Sequence, residues 1–239
     1  MRDGQRIGVV IPALNEEKAI GRVIADIPAW VDEIVVADNG SSDATIEVAE
    51  TAGARVVSEP ERGYGAACQR GIAALGAADV IVFLDADYSD DPREMTSLVD
   101  PILRGAAELV IGSRVTGEAQ RGALLPQQRF GNWLACRLMR YFFGVSYSDL
   151  GPFRAIRADA LQRLDMKDRA FGWTVEMQVK AAQLRLRSTE VPVSYRRRIG
   201  VSKISGTVRG TILAGVTILS VIGRSSRATP APMTLGDAR

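Results

Sequence analysis

The chain has 239 residues, of which 46% are hydrophobic and 24% charged, with 30 basic residues against 28 acidic ones. This composition is typical of a soluble globular protein and excludes a disordered or fibrous chain. The sequence contains no histidine, which excludes a Ser-His-Asp triad, a Cys-His dyad and a histidine-ligated zinc or iron. A metal ion would therefore bind carboxylates, and proton transfer would use Asp, Glu, Tyr or Lys.

The first 112 residues alternate short apolar runs with stretches of helical periodicity. This alternation predicts βαβ units and a mostly parallel sheet with helices on both faces. The predicted strands cover residues 6–11, 33–37, 54–58, 80–84 and 109–112. The predicted helices cover residues 16–27, 44–52, 64–75 and 92–103.

The pattern loosens after residue 112. The sequence there predicts a polar loop at 114–128, helices at 129–143 and 174–184, and a short strand at 152–156. Residues 188–195 contain Pro192, which favours an edge strand. The basic, Gly- and Ser-rich segment that follows predicts a mobile loop.

The last apolar stretch, 207–224, has only 14 uncharged residues between Arg209 and Arg224, fewer than the ~20 that cross a bilayer. On a helical wheel one stripe carries Ile212, Val216, Leu219 and Ile222. The stretch therefore predicts an amphipathic helix that lies in a membrane interface, packs on the domain or forms a homo-oligomer. Residues 225–239 are predicted to be a disordered tail.

Charge is distributed unevenly along the chain. From Arg196 to the C-terminus there are eight basic residues and one acidic residue, whereas the first 195 residues are net negative. This asymmetry predicts that the C-terminal part meets phosphates or an anionic membrane surface. The two cysteines, Cys68 and Cys136, suit a reducing cytoplasmic setting, and no apolar run near the N-terminus is long enough for a signal peptide.

Aspartates follow two of the predicted strands at their carboxyl ends, where open parallel sheets bind ligands. Asp38 closes the second strand, and Asp85 and Asp87 close the fourth. Carboxylates two residues apart point to one side of a strand. They suit Mg²⁺ or Mn²⁺, which take one or two carboxylates and complete their shell with water and substrate phosphate oxygens.

The segment after this pair has a structural explanation. Asp91, Pro92 and Glu94 predict the N-cap, first residue and capping box of the next helix. That explanation does not extend to Asp85 and Asp87, which precede the cap. Gly63 and Gly65, before the third helix, suit a turn or a close approach to phosphate.

Several ordered motifs over about residues 6–206 resemble the family 2 glycosyltransferases of GT-A fold, most of all the dolichyl- and polyprenyl-phosphate mannose and glucose synthases. They are VIPALNEE at 10–17, VADNGSSD at 36–43, RGYGAAC at 62–68, FLDADYSDDP at 83–92, GSR at 112–114, SDLGPFRAIR at 148–157 and VPVSYRRRIGVSKISG at 191–206. The resemblance implies a GT-A, Rossmann-like α/β domain over residues 1–206, with a nucleotide-sugar half at 1–115 and an acceptor half at 116–206.

The resemblance also implies roles for individual residues. Around the nucleotide sugar it places Pro12, Ala13, Asn15, Glu16, Asp38, Gly65, Asp85 and Ala86. Asp85 and Asp87 match the family's Asp-x-Asp, which binds Mg²⁺ or Mn²⁺ between the donor phosphates. Arg114 and the segment from Arg198 to Lys203 would lie near the phosphates and the acceptor.

The missing histidine is compatible with a phosphate acceptor and does not require one. A hydroxyl acceptor needs a base, for which Asp149 and Glu176 are the alternatives, whereas a phosphate monoester is already anionic at pH 7. The resemblance, together with the Asp-x-Asp and the basic, amphipathic C-terminal part, implies an inverting enzyme that moves a hexose from UDP-glucose or GDP-mannose to polyprenyl or dolichyl phosphate. The alternative is a soluble phosphorylated or hydroxylated acceptor.

Many relatives of this branch carry C-terminal transmembrane helices, and this sequence shows none. We therefore expect a cytoplasmic enzyme that binds the inner face of the cell membrane peripherally. A nucleic-acid partner is not expected, because the basic region is not interleaved with aromatic residues.

Overall fold

The protein is described by a computed structural model that covers residues 1–200, 219–223 and 225. Its centre is one seven-stranded sheet. The strands are β1 (Ile7–Ala13), β2 (Glu33–Asp38), β3 (Arg55–Ser58), β4 (Val80–Phe83), β5 (Leu109–Ser113), β6 (Arg154–Arg157) and β7 (Ser188–Pro192). The helices are α1 (Ile20–Asp26), α2 (Thr45–Thr51), α3 (Tyr64–Ala74), α4 (Met95–Leu103), α5 (Pro126–Phe143), α6 (Ala158–Leu164) and α7 (Trp173–Gln183).

The strands lie in the order β3-β2-β1-β4-β6-β5-β7. Strand β1 pairs in parallel with β2 and β4, β2 pairs with β3, and β7 runs parallel to β5. Only β6 is antiparallel, and it lies between β4 and β5. The predicted α/β fold with a mostly parallel sheet is confirmed, and β7 is the predicted edge strand.

The sheet is buried on both faces. On one face Val9 and Ile11 of β1 pack in a cluster with side chains of α1 and α4. On the other face Val10 packs with Cys68 of α3 and Met177 of α7. Successive residues of a strand point to opposite faces, so the continuous apolar run of β1 serves both clusters.

Three helices differ from the predictions. Helix α5 begins at Pro126 rather than residue 129, because a proline suits the first turn of a helix. Helix α1 begins at Ile20 rather than residue 16, because residues 14–19 form a turn in which Asn15 has a left-handed φ of 53°. Helix α6 was not predicted. Its seven residues directly follow β6, a connection too short for the sequence pattern to separate from the strand.

The start of α4 confirms one half of the predicted cap. A 3-10 turn at Pro92–Glu94 precedes the helix, and the Asp91 side chain accepts a hydrogen bond from the Arg93 N–H. The prediction that Glu94 completes a capping box was wrong. Glu94 accepts hydrogen bonds from the N–H and hydroxyl of Ser194 instead, because the chain after β7 passes close to this turn.

Part of the predicted C-terminal helix is visible. Residues 219–223 and 225 are helical, and Val221 and Ile222 are buried against Ala135, Cys136 and Met139. Leu219 of the predicted stripe is 43% exposed, and the remaining stripe positions, with Arg209 and Lys203, lie outside the described residues. Ser225, the first residue of the predicted tail, is helical and its carbonyl accepts a hydrogen bond from the Gln183 side chain. Residues 226–239 lie outside the described residues.

The 1–115 and 116–206 halves share one sheet, since β6 and β7 of the second half pair with β4 and β5 of the first. Within the described ranges, no helix has both the length and the apolar character needed to cross a membrane.

Candidate active site

The carboxyl ends of the parallel strands meet at one edge of the sheet, here called the strand-end edge. Ala13 and Asp38 are register partners at the ends of β1 and β2. Asp85 comes two residues after β4, the other neighbour of β1. Because β6 is antiparallel, its first residue, Arg154, lies opposite Phe83 at this same edge.

The two loops after β1 and β2 are joined by hydrogen bonds. The Asn15 N–H donates to the Ser41 hydroxyl at 2.9 Å, and the Asn15 side-chain oxygen accepts from the Ser42 N–H at 2.8 Å. Pro12 and Ala13 are buried beside this connection at the end of β1. The predicted nucleoside-binding residues of β1 and β2 therefore share one surface.

Asp38 stabilises the turn that follows it. Its carboxylate is 2% exposed and accepts hydrogen bonds from the N–H groups of Gly40 and Ser41 at 3.0 and 3.1 Å. Gly40 has φ of +82°, a conformation that glycine adopts without strain. Asn39, which the sequence analysis missed, binds the carbonyls of Glu59 and Glu61.

A second group of carboxylates follows β4. Asp85 accepts a hydrogen bond from the Tyr64 hydroxyl at 3.1 Å, and the buried Ala86 separates it from Asp87. Asp87 is 5% exposed and accepts from the Ser89 N–H at 2.9 Å. Burial and the charge of Asp87 raise the pKa of Asp85 to about 7, so this pair is costly to keep ionised without a positive partner.

Asp90 belongs to the same group and was missed by the sequence analysis. It is 1% exposed, and neither carboxylate oxygen has a hydrogen-bond partner among the described residues. Burial and the charges of Asp85 and Asp87 raise its pKa well above the usual range. The only feature of the sequence that could have indicated Asp90 as a site residue was its position between the Asp-x-Asp and the Asp91 cap.

Arg198 connects the two groups of predicted site residues. Its guanidinium donates to Glu16 at 2.8 Å and forms an ion pair with Asp87 at 3.3 Å. The next residue, Ile199, donates its N–H to the Asp87 carbonyl at 2.9 Å. The segment after β7 therefore brings positive charge to the carboxylates, and its predicted place near the phosphates and the acceptor stays a prediction. Lys203 lies outside the described residues.

The donor set fits a divalent cation. Asp85, Asp87 and Asp90 provide oxygen atoms, the ligands that Mg²⁺ and Mn²⁺ prefer, and no described residue donates a hydrogen bond to either Asp90 side-chain oxygen. No three Asp, Glu or Cys side chains in the described part of the chain form a complete metal cluster by themselves. The other ligands would therefore come from water and substrate phosphates, as is usual for Mg²⁺.

Arg114 and Asp149 form a buried ion pair. The guanidinium binds both carboxylate oxygens at 2.7 and 2.8 Å, and the Arg114 N–H donates to the same carboxylate at 2.8 Å. The Leu150 N–H adds another donor. Although burial opposes the charge, these hydrogen bonds and the charge of Asp149 raise the pKa of Arg114. The Asp149 carboxylate, predicted as one alternative base, is thus fully engaged.

Arg154 holds the turn after Asp149 in place. It is 0% exposed and donates to the carbonyls of Gly151, Leu150 and Thr174. Burial lowers its pKa to about 10, which leaves it charged at neutral pH. In the sequence, Arg154 stands out only as part of the SDLGPFRAIR motif.

Glu176, the other alternative base, lies elsewhere. Its carboxylate accepts from the N–H groups of Lys167 and Asp168 and pairs with Lys180 at 2.7 Å. These contacts fix the loop at 167–172 between α6 and α7.

That loop covers the start of α3. The N–H groups of Gly65 and Ala66 donate to the carbonyls of Ala170 and Arg169 at 3.0 and 2.9 Å. A Cβ on Gly65 would lie 2.1 Å from the Asp168 carbonyl oxygen. The loop therefore occupies the N–H groups of Gly65 and Ala66, and Gly65 packs against protein backbone. The predicted contact of Gly65 with the nucleotide stays a prediction.

A cleft of about 1060 Å³ opens beside the Arg114–Asp149 pair. Its walls are the 115–124 segment and α5, and its lining includes Arg121, Arg129 and Arg137. Arg114 belongs to this lining, and its guanidinium lies 5.0 Å from the centre of the Tyr195 ring, whose backbone pairs with that of Asp90. The cleft and the carboxylate group are therefore neighbours, connected through Arg114 and Tyr195.

Comparison with known proteins gives the family. The model of glycosyl transferase family 2 matches residues 8–165. The chain belongs to glycosyltransferase family 2. It is 38% identical over 221 residues to an uncharacterised glycosyltransferase of Mycobacterium tuberculosis, with 92% of this chain and 99% of the relative covered. It is 32% identical over 220 residues to a dolichyl-phosphate hexose transferase of Haloferax volcanii, with 90% and 93% covered.

A solved structure of the same fold holds ligands. It is glucosyl-3-phosphoglycerate synthase from Mycobacterium tuberculosis with Mn²⁺, UDP-glucose and phosphoglyceric acid, at 28% identity and a TM-score of 0.73, with 92% of this chain and 80% of that chain covered. The predicted family and fold are confirmed. The prediction of a metal-dependent hexosyltransferase agrees with the Mn²⁺ and nucleotide sugar of this family 2 structure.

Proposed function

We propose that this family 2 enzyme transfers a hexose from UDP-glucose or GDP-mannose to a polyprenyl or dolichyl phosphate, with inversion at the anomeric carbon. The observation that carries the proposal is the position of Arg114, which lines the arginine-lined cleft and lies over the ring of Tyr195, the residue that pairs with Asp90. Such an arrangement suits two phosphorylated substrates that meet at one point. The dolichyl-phosphate hexose transferase of Haloferax volcanii, similar over nearly its whole length, supports a lipid-phosphate acceptor.

The donor would bind at the strand-end edge. Pro12, Ala13 and Asn15 form the surface for the base and ribose, next to the turn held by Asp38. Asp85 and Asp87 would hold Mg²⁺ or Mn²⁺, which when bound offsets negative charge on the donor diphosphate. Arg198, now paired with Glu16 and Asp87, would turn to the departing diphosphate and stabilise its charge.

The acceptor would enter through the cleft. An acceptor phosphate oxygen attacks the anomeric carbon, and the bond from that carbon to the donor diphosphate breaks. No proton has to be removed, because the phosphate monoester is anionic at pH 7. Asp149 and Glu176 would then serve as positioning residues, Asp149 by orienting Arg114 and Glu176 by fixing the 167–172 loop.

A soluble phosphorylated acceptor is the second candidate. The glucosyl-3-phosphoglycerate synthase structure binds such an acceptor with UDP-glucose, and an arginine-lined cleft also suits a small anion.

Transfer assays separate the two candidates. Purified protein, Mn²⁺ and radiolabelled UDP-glucose or GDP-mannose are incubated with polyprenyl phosphate in detergent, or with 3-phosphoglycerate in buffer, and the label is counted in the butanol and water phases. The proposal expects label in butanol only when polyprenyl phosphate is present. Transfer to phosphoglycerate with none to the lipid would overturn it in favour of the soluble acceptor.

A further inference from the structure

The outer face of α5 exposes large aromatic side chains. Phe130 is 62%, Trp133 56% and Tyr141 81% exposed, and their spacing of three and eight residues places them on one side of the helix. The Phe130 and Trp133 rings lie 5.9 Å apart, and Phe142 packs edge-on to Tyr141 at 5.0 Å. Aromatic groups exposed together in this way mark an interaction surface.

The opposite face of α5 anchors the helix. Ala135, Cys136 and Met139 are buried in a cluster with Val175 and Val179 of α7. The orientation of α5 is therefore set by the core, and its aromatic side chains are held outward.

The same region is exclusively basic. Between Glu118 and Asp149 the sequence has no acidic residue and four arginines, Arg121, Arg129, Arg137 and Arg140, all of which are exposed. Here the aromatic-arginine face denotes Phe130, Trp133 and Tyr141 with Arg129, Arg137 and Arg140.

We propose that the aromatic-arginine face of α5 binds the surface of an anionic lipid bilayer. Aromatic side chains enter the boundary between headgroups and acyl chains, while arginines beside them pair with lipid phosphates. A second copy of the chain is a poorer occupant, because a symmetric contact would bring two sets of arginines together without an acidic partner.

This inference deepens the proposed function, on which it rests for its biological purpose, since a polyprenyl phosphate resides in a bilayer. Phe130, Trp133 and Arg137 also line the cleft that contains Arg114. A bilayer bound to the aromatic-arginine face would therefore lie at the cleft, where a lipid phosphate can leave the membrane and approach Arg114.

Vesicle binding tests the proposal without any substrate. The full chain is sedimented with vesicles of phosphatidylcholine alone or mixed with phosphatidylglycerol, and binding is expected to the mixed vesicles. Phe130→Ser combined with Trp133→Ser should lower the affinity for vesicles at least about tenfold, because two aromatic rings that would be buried in the bilayer are lost. Arg137→Gln combined with Arg140→Gln should lower it by about fivefold per arginine, and only on anionic vesicles.

The matched control is Leu184→Ser. Leu184 is 49% exposed at the end of α7, so this variant also removes an exposed apolar side chain and should bind as the wild type does. All substituted positions are exposed, and a thermal melt of each variant checks that it folds.

Tryptophan fluorescence gives a second measurement. Trp133 is the exposed one of three tryptophans, since Trp173 is buried and Trp30 lies under Arg2. Anionic vesicles should shift the emission of the wild type to shorter wavelength. Trp133→Phe should lose the shift and keep the affinity.

Two results would overturn the proposal. One is equal vesicle binding by the wild type and the Phe130/Trp133 variant. The other is absence of vesicle binding together with a dimer, in sedimentation equilibrium, that this variant abolishes. A different result would contradict the proposed function alone. If the protein binds vesicles but does not transfer sugar to polyprenyl phosphate in detergent, the proposed function is wrong and the proposal that α5 binds a membrane is still supported.

Discussion

Asp87 and Asp91 are both buried aspartates of one loop, and their partners assign them different tasks. Asp87 faces Asp85 and the guanidinium of Arg198. Asp91 caps the turn before α4 and pairs with Arg93 and Arg196. The first set of contacts suits cation and phosphate binding, and the second holds the backbone.

Asp87→Asn should therefore lower kcat/KM at least about a hundredfold, because the cation and the departing diphosphate lose a charged partner. The circular dichroism spectrum should not change. Asp91→Asn is the matched control: an asparagine still caps a helix, so transfer should stay within about threefold of the wild type at a free energy of unfolding lower by about 1 kcal/mol. Turnover by Asp87→Asn at the wild-type rate would remove this residue from the site.

The sequence predicted some of the carboxylates near the strand ends as site residues and did not predict others. Asp85 and Asp87 follow directly from the position of a predicted strand end, which is local information. Asp90 has the same residue type and nearly the same position, but its burial depends on Tyr195, which pairs with it across the chain. No local pattern distinguishes a buried unpartnered carboxylate from a solvated one.

At the scale of elements, a loop packs on the start of α3 and fixes its position. The loop at 167–172 binds the first N–H groups of the helix, and Glu176 of α7 holds that loop from the other side. The contact leaves no space for a side chain at Gly65.

Gly65→Ala should lower the free energy of unfolding by about 2–3 kcal/mol, since the added methyl group displaces the loop and its hydrogen bonds. Gly131→Ala in α5 is the control, because nothing lies within 4 Å of its Cβ position. That substitution should raise the free energy of unfolding by about 0.5–1 kcal/mol through the better helix propensity of alanine. Urea unfolding measures both, and equal stability of the two variants would contradict the packing described here.

Whole-molecule stability should report donor binding. A ligand that binds only the folded state stabilises it by about 2.7 kcal/mol at a hundred times its Kd, which corresponds to a rise in Tm of about 5–10 °C in a domain of this size. We expect UDP with Mn²⁺ to give such a rise and EDTA to reverse it, measured by scanning fluorimetry. In Asp87→Asn the metal-dependent part should disappear, and a rise that ignores EDTA would argue against a metal between Asp87 and the diphosphate.

The sequence by itself determined the alternation of strands and helices, the edge position of β7 and the aspartates at the strand ends, because periodicity and turn residues are local properties. The tertiary structure decided what depends on distant contacts. Arg198 reaches Glu16 across 182 positions of the chain, and β6 inserts antiparallel between β4 and β5. Pairing of this kind is set by which surfaces bury each other, which a one-dimensional pattern does not contain.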